Sequence, residues 1–107
     1  MTTLTWHDVA RADQVTVDTP FPCAVGDARI ALYRTDDGIS AIGDICTHED
    51  VLLSGGWLEN CIIECPMHQA MFDVRTGKCM GGPTDQDVPC YAVKEENGVV
   101  FVGLPAG

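Results

Sequence analysis

Two short stretches of this 107-residue chain offer the same unusual pair of side chains. One reads Cys46-Thr47-His48 and the other Cys65-Pro66-Met67-His68, with sixteen residues between them. Each stretch supplies one thiolate and one imidazole. Together they make four soft-to-borderline metal ligands in two matched pairs. Such a set constrains the fold, because the two stretches must be loops brought side by side. The intervening residues then only lead out of one loop and back into the next.

Two kinds of centre use this donor set. A [2Fe–2S] centre of the Rieske type takes two Cys on one iron and two His on the other. If each loop gives its Cys to one iron and its His to the other, both loops grip both irons. A Cys2His2 zinc site needs the same four residues, but usually takes like ligands from one element, as in Cys-x2-Cys with His-x3-His. The mixed pairing here, and the single residue between Cys46 and His48, favour iron and sulfur.

The segment resembles the cluster-binding part of Rieske proteins, Cys-x-His followed by Cys-x2-His with Pro after the second Cys. The likeness extends to Gly81-Gly82-Pro83, which is similar to the proline loop covering the cluster in that family. The short chain and its flanking strand patterns resemble the small Rieske ferredoxins of bacterial aromatic-ring dioxygenase systems. The resemblance implies one [2Fe–2S] cluster, with Cys46 and Cys65 on one iron and His48 and His68 on the other. It also implies two partners, a flavoprotein ferredoxin reductase and a terminal oxygenase. A small subunit of another redox enzyme, such as an assimilatory nitrite reductase, is the alternative in the same family. A module holding structural zinc is a more distant one.

The length suits one domain over 1–107. Terminal ring oxygenases fuse a Rieske domain to a mononuclear-iron domain, and this length has no room for the second. The chain is therefore expected to pass its electron to another protein and not to be an enzyme by itself. The first residues lack the basic and apolar regions of a signal peptide, and no apolar run approaches the ~20 residues of a membrane span. The expectation is a soluble, cytoplasmic protein with no membrane contact. With two cysteines in the cluster, Cys23, Cys61, Cys79 and Cys90 are expected to be reduced, small buried hydrophobes.

The formal charge is -10, from 16 acids and 6 bases. That disfavours nucleic acid as a partner, since phosphate contacts need a basic patch. An oxidised cluster with two thiolates and two neutral imidazoles adds no net charge, so the acidity belongs to the protein surface. It serves solubility, docking, or both.

The remaining pattern reads as all-β. Residues 28–34 alternate with period two and face 39–45 across the turn signal Thr35-Asp36-Asp37-Gly38. Short strands are expected at 57–58 and 61–64, split at Glu59-Asn60, and at 70–73 and 78–80 around 74–77. Residues 91–95 and 99–102 form a hairpin over Glu96-Asn97-Gly98, whose Asn-Gly signals a type I′ turn. Pro20 and Pro22 suggest an edge or turn. Asp8 to Asp13 is compatible with one helical turn, although the Thr and Val around it favour strand or loop, and His7 is expected to face solvent. The expected layout is a Rieske-type sandwich of antiparallel sheets, with residues about 45–83 inserted as the cluster-binding lobe.

Two further expectations rest on the resemblance. High-potential Rieske proteins of respiratory complexes carry Ser and Tyr hydroxyls that bond the sulfurs, where this chain has Ala70 and Phe72. They also carry a disulfide between the loops, where this chain has Val51 and Met67. These absences point to a low potential. The His edges are the expected electron exit, with Met67, Leu52 and Pro83 as apolar contacts and Glu49, Asp50 and Gln69 as a polar rim. Leu52 and Leu53 have a competing role, packing under or beside the cluster.

Overall fold

In a computed structural model, the structure describes residues 3–47, 51–67, 69–82 and 86–105. Among the described residues, ten strands make two antiparallel sheets. Six of them, β1 (Leu4–Arg11), β2 (Phe21–Val25), β3 (Ala28–Thr35), β4 (Gly38–Gly43), β9 (Cys90–Glu96) and β10 (Val99–Pro105), pair in the order β1-β10-β9-β4-β3-β2. The end strands β1 and β2 also meet, so this sheet curls towards closure. The other four, β5 (Trp57–Glu59), β6 (Ile62–Glu64), β7 (Met71–Asp73) and β8 (Cys79–Gly81), pair in chain order.

Alternation along β3 and β4 explains how the sheets are joined. Ile30, Leu32 and Ala41 point into one core with Val15, Val100 and Val102. Ala31, Tyr33 and Ile42, on the other face, point into a second core with Ile63 and Phe72 from the smaller sheet and with Leu53 and Val74 beside it. A strand buried on both faces reads as a nearly continuous apolar run, as residues 30–33 do. The second core contains Cys46 and Cys65, so β3 and β4 form the floor on which the candidate site rests. Ser40 adds a polar tie, its hydroxyl donating to the Val74 carbonyl at 2.6 Å.

The all-β sandwich expectation holds, and most strands lie where the alternation places them. Asn97 and Gly98 have φ of 53° and 79°, the left-handed pair that a type I′ turn needs. Pro22 lies on β2, an end strand of the larger sheet, where a missing N–H is tolerated.

Several expectations need correction. Cys61 is not in a strand; it shares a turn with Asn60, both with positive φ (66° and 51°). The turn at the end of β1 is a 3-10 turn over Ala12–Gln14, because pairing with β10 keeps residues as far as Arg11 extended. His7 is half-buried on β1 opposite Val102. Of the four cysteines expected to be buried, Cys90 is exposed and Cys23, Cys61 and Cys79 are half-buried, since they occupy an edge strand, a turn and short strand ends.

Candidate metal centre

The two stretches carrying the candidate ligands fold as matched hairpin tips. In the first, Ile45 and Leu52 form an antiparallel bridge, and the Cys46 N–H donates to the Val51 carbonyl at 2.9 Å. In the second, Glu64 pairs with Met71 at the end of β6 and β7, and the Cys65 N–H donates to the Ala70 carbonyl at 2.7 Å. In both stretches the Cys N–H is the last paired position before the candidate His, with Thr47 following Cys46 and Pro66 and Met67 following Cys65. Cys46 is 3% exposed and Cys65 fully buried, and both belong to the core of Leu53, Ile63, Ala70 and Phe72. The two thiol residues thus lie in the same buried core, each at the last pairing of its hairpin. His48 and His68 lie outside the described residues, as do Glu49, Asp50 and Pro83.

The first hairpin is closed at its root by Asp44, the one buried charged residue of the described chain. Its carbonyl accepts the Leu53 N–H at 2.7 Å. Its carboxylate accepts the Ser54 N–H at 2.7 Å on Oδ1 and the Ser54 hydroxyl at 2.8 Å on Oδ2. Burial pushes the Asp44 carboxyl up, while the two Ser54 bonds and the Arg29 charge oppose the rise. Sequence reasoning missed this pair. The available signal was an acid in an otherwise apolar run just before the first ligand.

A third segment packs on both tips. Gly82 has φ of 103°, and a Cβ there would lie 2.5 Å from the Ala70 Cα. Only glycine combines that backbone with so close an approach. The Thr47 hydroxyl donates to the Gln86 carbonyl at 2.8 Å, joining the first tip to the same segment. Leu52 and Met67 are 42% and 45% exposed, and Gln69 is exposed. Leu53 is fully buried, so of the two leucines only Leu53 packs inward. A cleft of about 340 Å³ between Tyr33, Leu58, Cys61 and Val74 includes neither Cys46 nor Cys65.

The donor set fits an iron–sulfur cluster. Two thiols end adjacent hairpins inside an apolar core, and the Met67 N–H donates to the Cys65 sulfur at 3.4 Å. A backbone N–H on sulfur favours the thiolate that a metal requires.

Comparison with known proteins decides which centre this is. The model of the Rieske [2Fe-2S] domain matches residues 5–92. The chain belongs to the Rieske [2Fe–2S] domain family. Its cofactor is one Rieske-type [2Fe–2S] cluster, not zinc. This Rieske protein is 34% identical to the anthranilate 1,2-dioxygenase ferredoxin subunit of Burkholderia cepacia, over 92% of each chain. It is 40% identical to the ferredoxin component of the naphthalene 1,2-dioxygenase/salicylate 5-hydroxylase systems of a Ralstonia species, over 89% of this chain and 91% of the relative.

Solved structures agree. The ferredoxin of carbazole 1,9a-dioxygenase from Nocardioides aromaticivorans IC177 superposes with a TM-score of 0.86 at 31% identity, covering 92% of this chain and 96% of the other. A chain in a complex of reduced oxygenase and oxidized ferredoxin in carbazole 1,9a-dioxygenase gives 0.83 at 35% identity, covering 91% of both. The putative NADH-dependent nitrite reductase small subunit from Mycobacterium tuberculosis gives 0.84 at 21% identity, covering 98% and 99%, a likeness of fold alone.

Proposed function

We propose that this chain is a ferredoxin that carries single electrons from a flavoprotein ferredoxin reductase to a terminal aromatic-ring-hydroxylating oxygenase. The pair of matched hairpins, each ending in a buried Cys, carries the reading. The relatives named as ferredoxin components of dioxygenase systems support it. In this reading Cys46 and Cys65 bind one iron, and His48 and His68 the other. The protein is one domain over 1–107, with the cluster-binding lobe at about 45–83.

When bound, the cluster supplies a one-electron redox site. The chain's own residues do the rest. The hairpin bonds at Cys46 and Cys65 fix the two sulfurs, and Leu53, Ile63 and Phe72 keep water from their inner side. The exposed Met67 and Leu52 give a partner an apolar place to meet the tips. Ala70 and Phe72 have no hydroxyl to bond sulfur, which supports a low potential within the Rieske span of about -150 to +300 mV.

The protein is the electron-transfer component and leaves ring hydroxylation to the oxygenase. No helix among the described residues is long and apolar enough to cross a membrane. A cytoplasmic location fits that and the charge of -10, which also argues against nucleic acid. The test is to mix the holo-protein with candidate reductases and oxygenases and follow electron delivery and ring turnover. A holo-protein that reduced reductases cannot reduce, and that supports no oxygenase turnover, would remove this reading.

A further inference from the structure

Asp44 is the one buried charged side chain among the described residues. It is 1% exposed and lies two residues before Cys46. Two residues of extended chain span at most ~7 Å, so the Cα atoms of Asp44 and Cys46 lie within that distance. Both carboxylate oxygens accept hydrogen bonds from Ser54, and neither is needed as a donor. The N–H on Oδ1 and the hydroxyl on Oδ2 favour the charged form and oppose the burial that disfavours it. Arg29 offers its carbonyl to the Asp44 N–H at 2.9 Å, but its guanidinium makes no ion pair with Asp44 among the described residues. The charge is therefore held in place and not neutralised by contact.

We propose that the buried Asp44 carboxylate, fixed by Ser54, is a positioned negative charge that lowers the reduction potential of the cluster. The inference rests on the ferredoxin reading above. In that reading one electron arrives from the reductase with no accompanying proton, so the reduced centre carries one more negative charge. A fixed carboxylate nearby repels that charge, and low-dielectric surroundings screen the repulsion poorly. Acids on the surface are screened by water and salt. Their number therefore does not substitute for the position of Asp44.

Asp44→Asn isolates the charge from the architecture. The amide oxygen still accepts the Ser54 N–H, and the amide nitrogen can donate to the Ser54 hydroxyl, which accepts as readily as it donates. The expected result is a Rieske electron paramagnetic resonance signal of wild-type shape, with the one-electron equilibrium shifted about tenfold towards the reduced form, ~59 mV upward. Asp13→Asn, at a side chain that is 75% exposed, should leave the potential unchanged. Ser54→Ala keeps the charge and loses one bond, so it should lower thermal stability and barely move the potential. An unchanged potential in Asp44→Asn, or an equal rise in Ser54→Ala, overturns the inference. Loss of the cluster from Asp44→Asn also overturns it, in favour of a purely architectural role. A wild-type protein without a Rieske signal would instead sink the ferredoxin reading itself.

Discussion

The Thr47 hydroxyl donates to the Gln86 main-chain carbonyl at 2.8 Å, across 39 positions of sequence. Thr47 lies between two proposed ligands, and Gln86 lies in the segment that leads to β9. The bond ties the first hairpin tip to its cover where high-potential relatives use a disulfide between the tips. Thr47→Val keeps the shape and removes the donor. It should cost about 1 kcal/mol and quicken the loss of visible absorption under a chelator, with Thr47→Ser close to wild type. Bleaching at the wild-type rate in Thr47→Val would mean the tie does not hold the tip.

The ligand assignment has a direct spectroscopic consequence. Cys46 and Cys65 each sit at the last backbone pairing of a hairpin, and His48 and His68 follow them in sequence by two and three residues. His48→Ala or His68→Ala should abolish the Rieske signal. Much of the far-ultraviolet β signature should remain, because the six-stranded sheet is built without these tips. A retained signal in either variant would reassign the ligands.

Hydroxyls placed against sulfur should raise the potential. Ala70 accepts the Cys65 N–H and is fully buried beneath Gly82, and Phe72 is fully buried on β7. A bond worth about 1 kcal/mol more in the reduced state corresponds to roughly 40 mV for one electron, scaled from 59 mV per tenfold change. Ala70→Ser and Phe72→Tyr should each show a rise of that order by voltammetry. A wild-type potential well above zero would defeat the reasoning from missing hydroxyls.

Much of this structure was legible in the chain because strand burial leaves a period of two. Residues 28–34 alternate in sequence, although β3 is buried on both faces over 30–33, and the Asn97-Gly98 residue types match the backbone of their turn. The two Cys positions were legible because thiolates and imidazoles at that spacing have few other uses. What escaped were features that depend on distant partners. Asp44 reads as a surface acid until the fold delivers Ser54 to its carboxylate. Cys61 looks like the start of a strand, yet the tight link from β5 to β6 forces it to positive φ. Leu52 and Leu53 look alike, and only the Ile45–Leu52 bridge turns one outward and the other in.

The turn from β7 to β8 should govern part of the acid sensitivity. Hydrogen bonds from the Arg75 side chain, at 3.1 and 3.0 Å, and from its N–H, at 2.8 Å, hold the Asp73 carboxyl below its usual range. A depressed folded value means stability that is present above the unfolded value of about 3.9 and is lost as pH falls through the folded one. Asp73→Asn should therefore lower stability at pH 7 and flatten its fall below about pH 4. Melting temperatures from pH 2 to 7 would check this, and parallel curves for both proteins would show that the turn contributes nothing.

Partner docking should use the hairpin tips and respond to salt. Electron transfer favours the shortest gap, and Met67, two residues after Cys65, and Leu52, in the bridge beside Cys46, stand exposed. Apolar residues at the centre with polar ones around them are the common anatomy of an interface. Glu49 and Asp50 follow His48 in sequence, and with a net charge of -10 they should draw in a basic partner surface. Such steering weakens as salt screens it, over ~10 Å at 0.1 M. Neutralising both, as Glu49→Gln with Asp50→Asn, should lower the association rate at low salt and flatten its salt dependence. Met67→Ala should instead speed dissociation, because it removes contact area and no charge. Stopped-flow transfer to the oxygenase at several ionic strengths separates the two effects. If the double variant matches wild type at every salt concentration, the partner approaches by another edge.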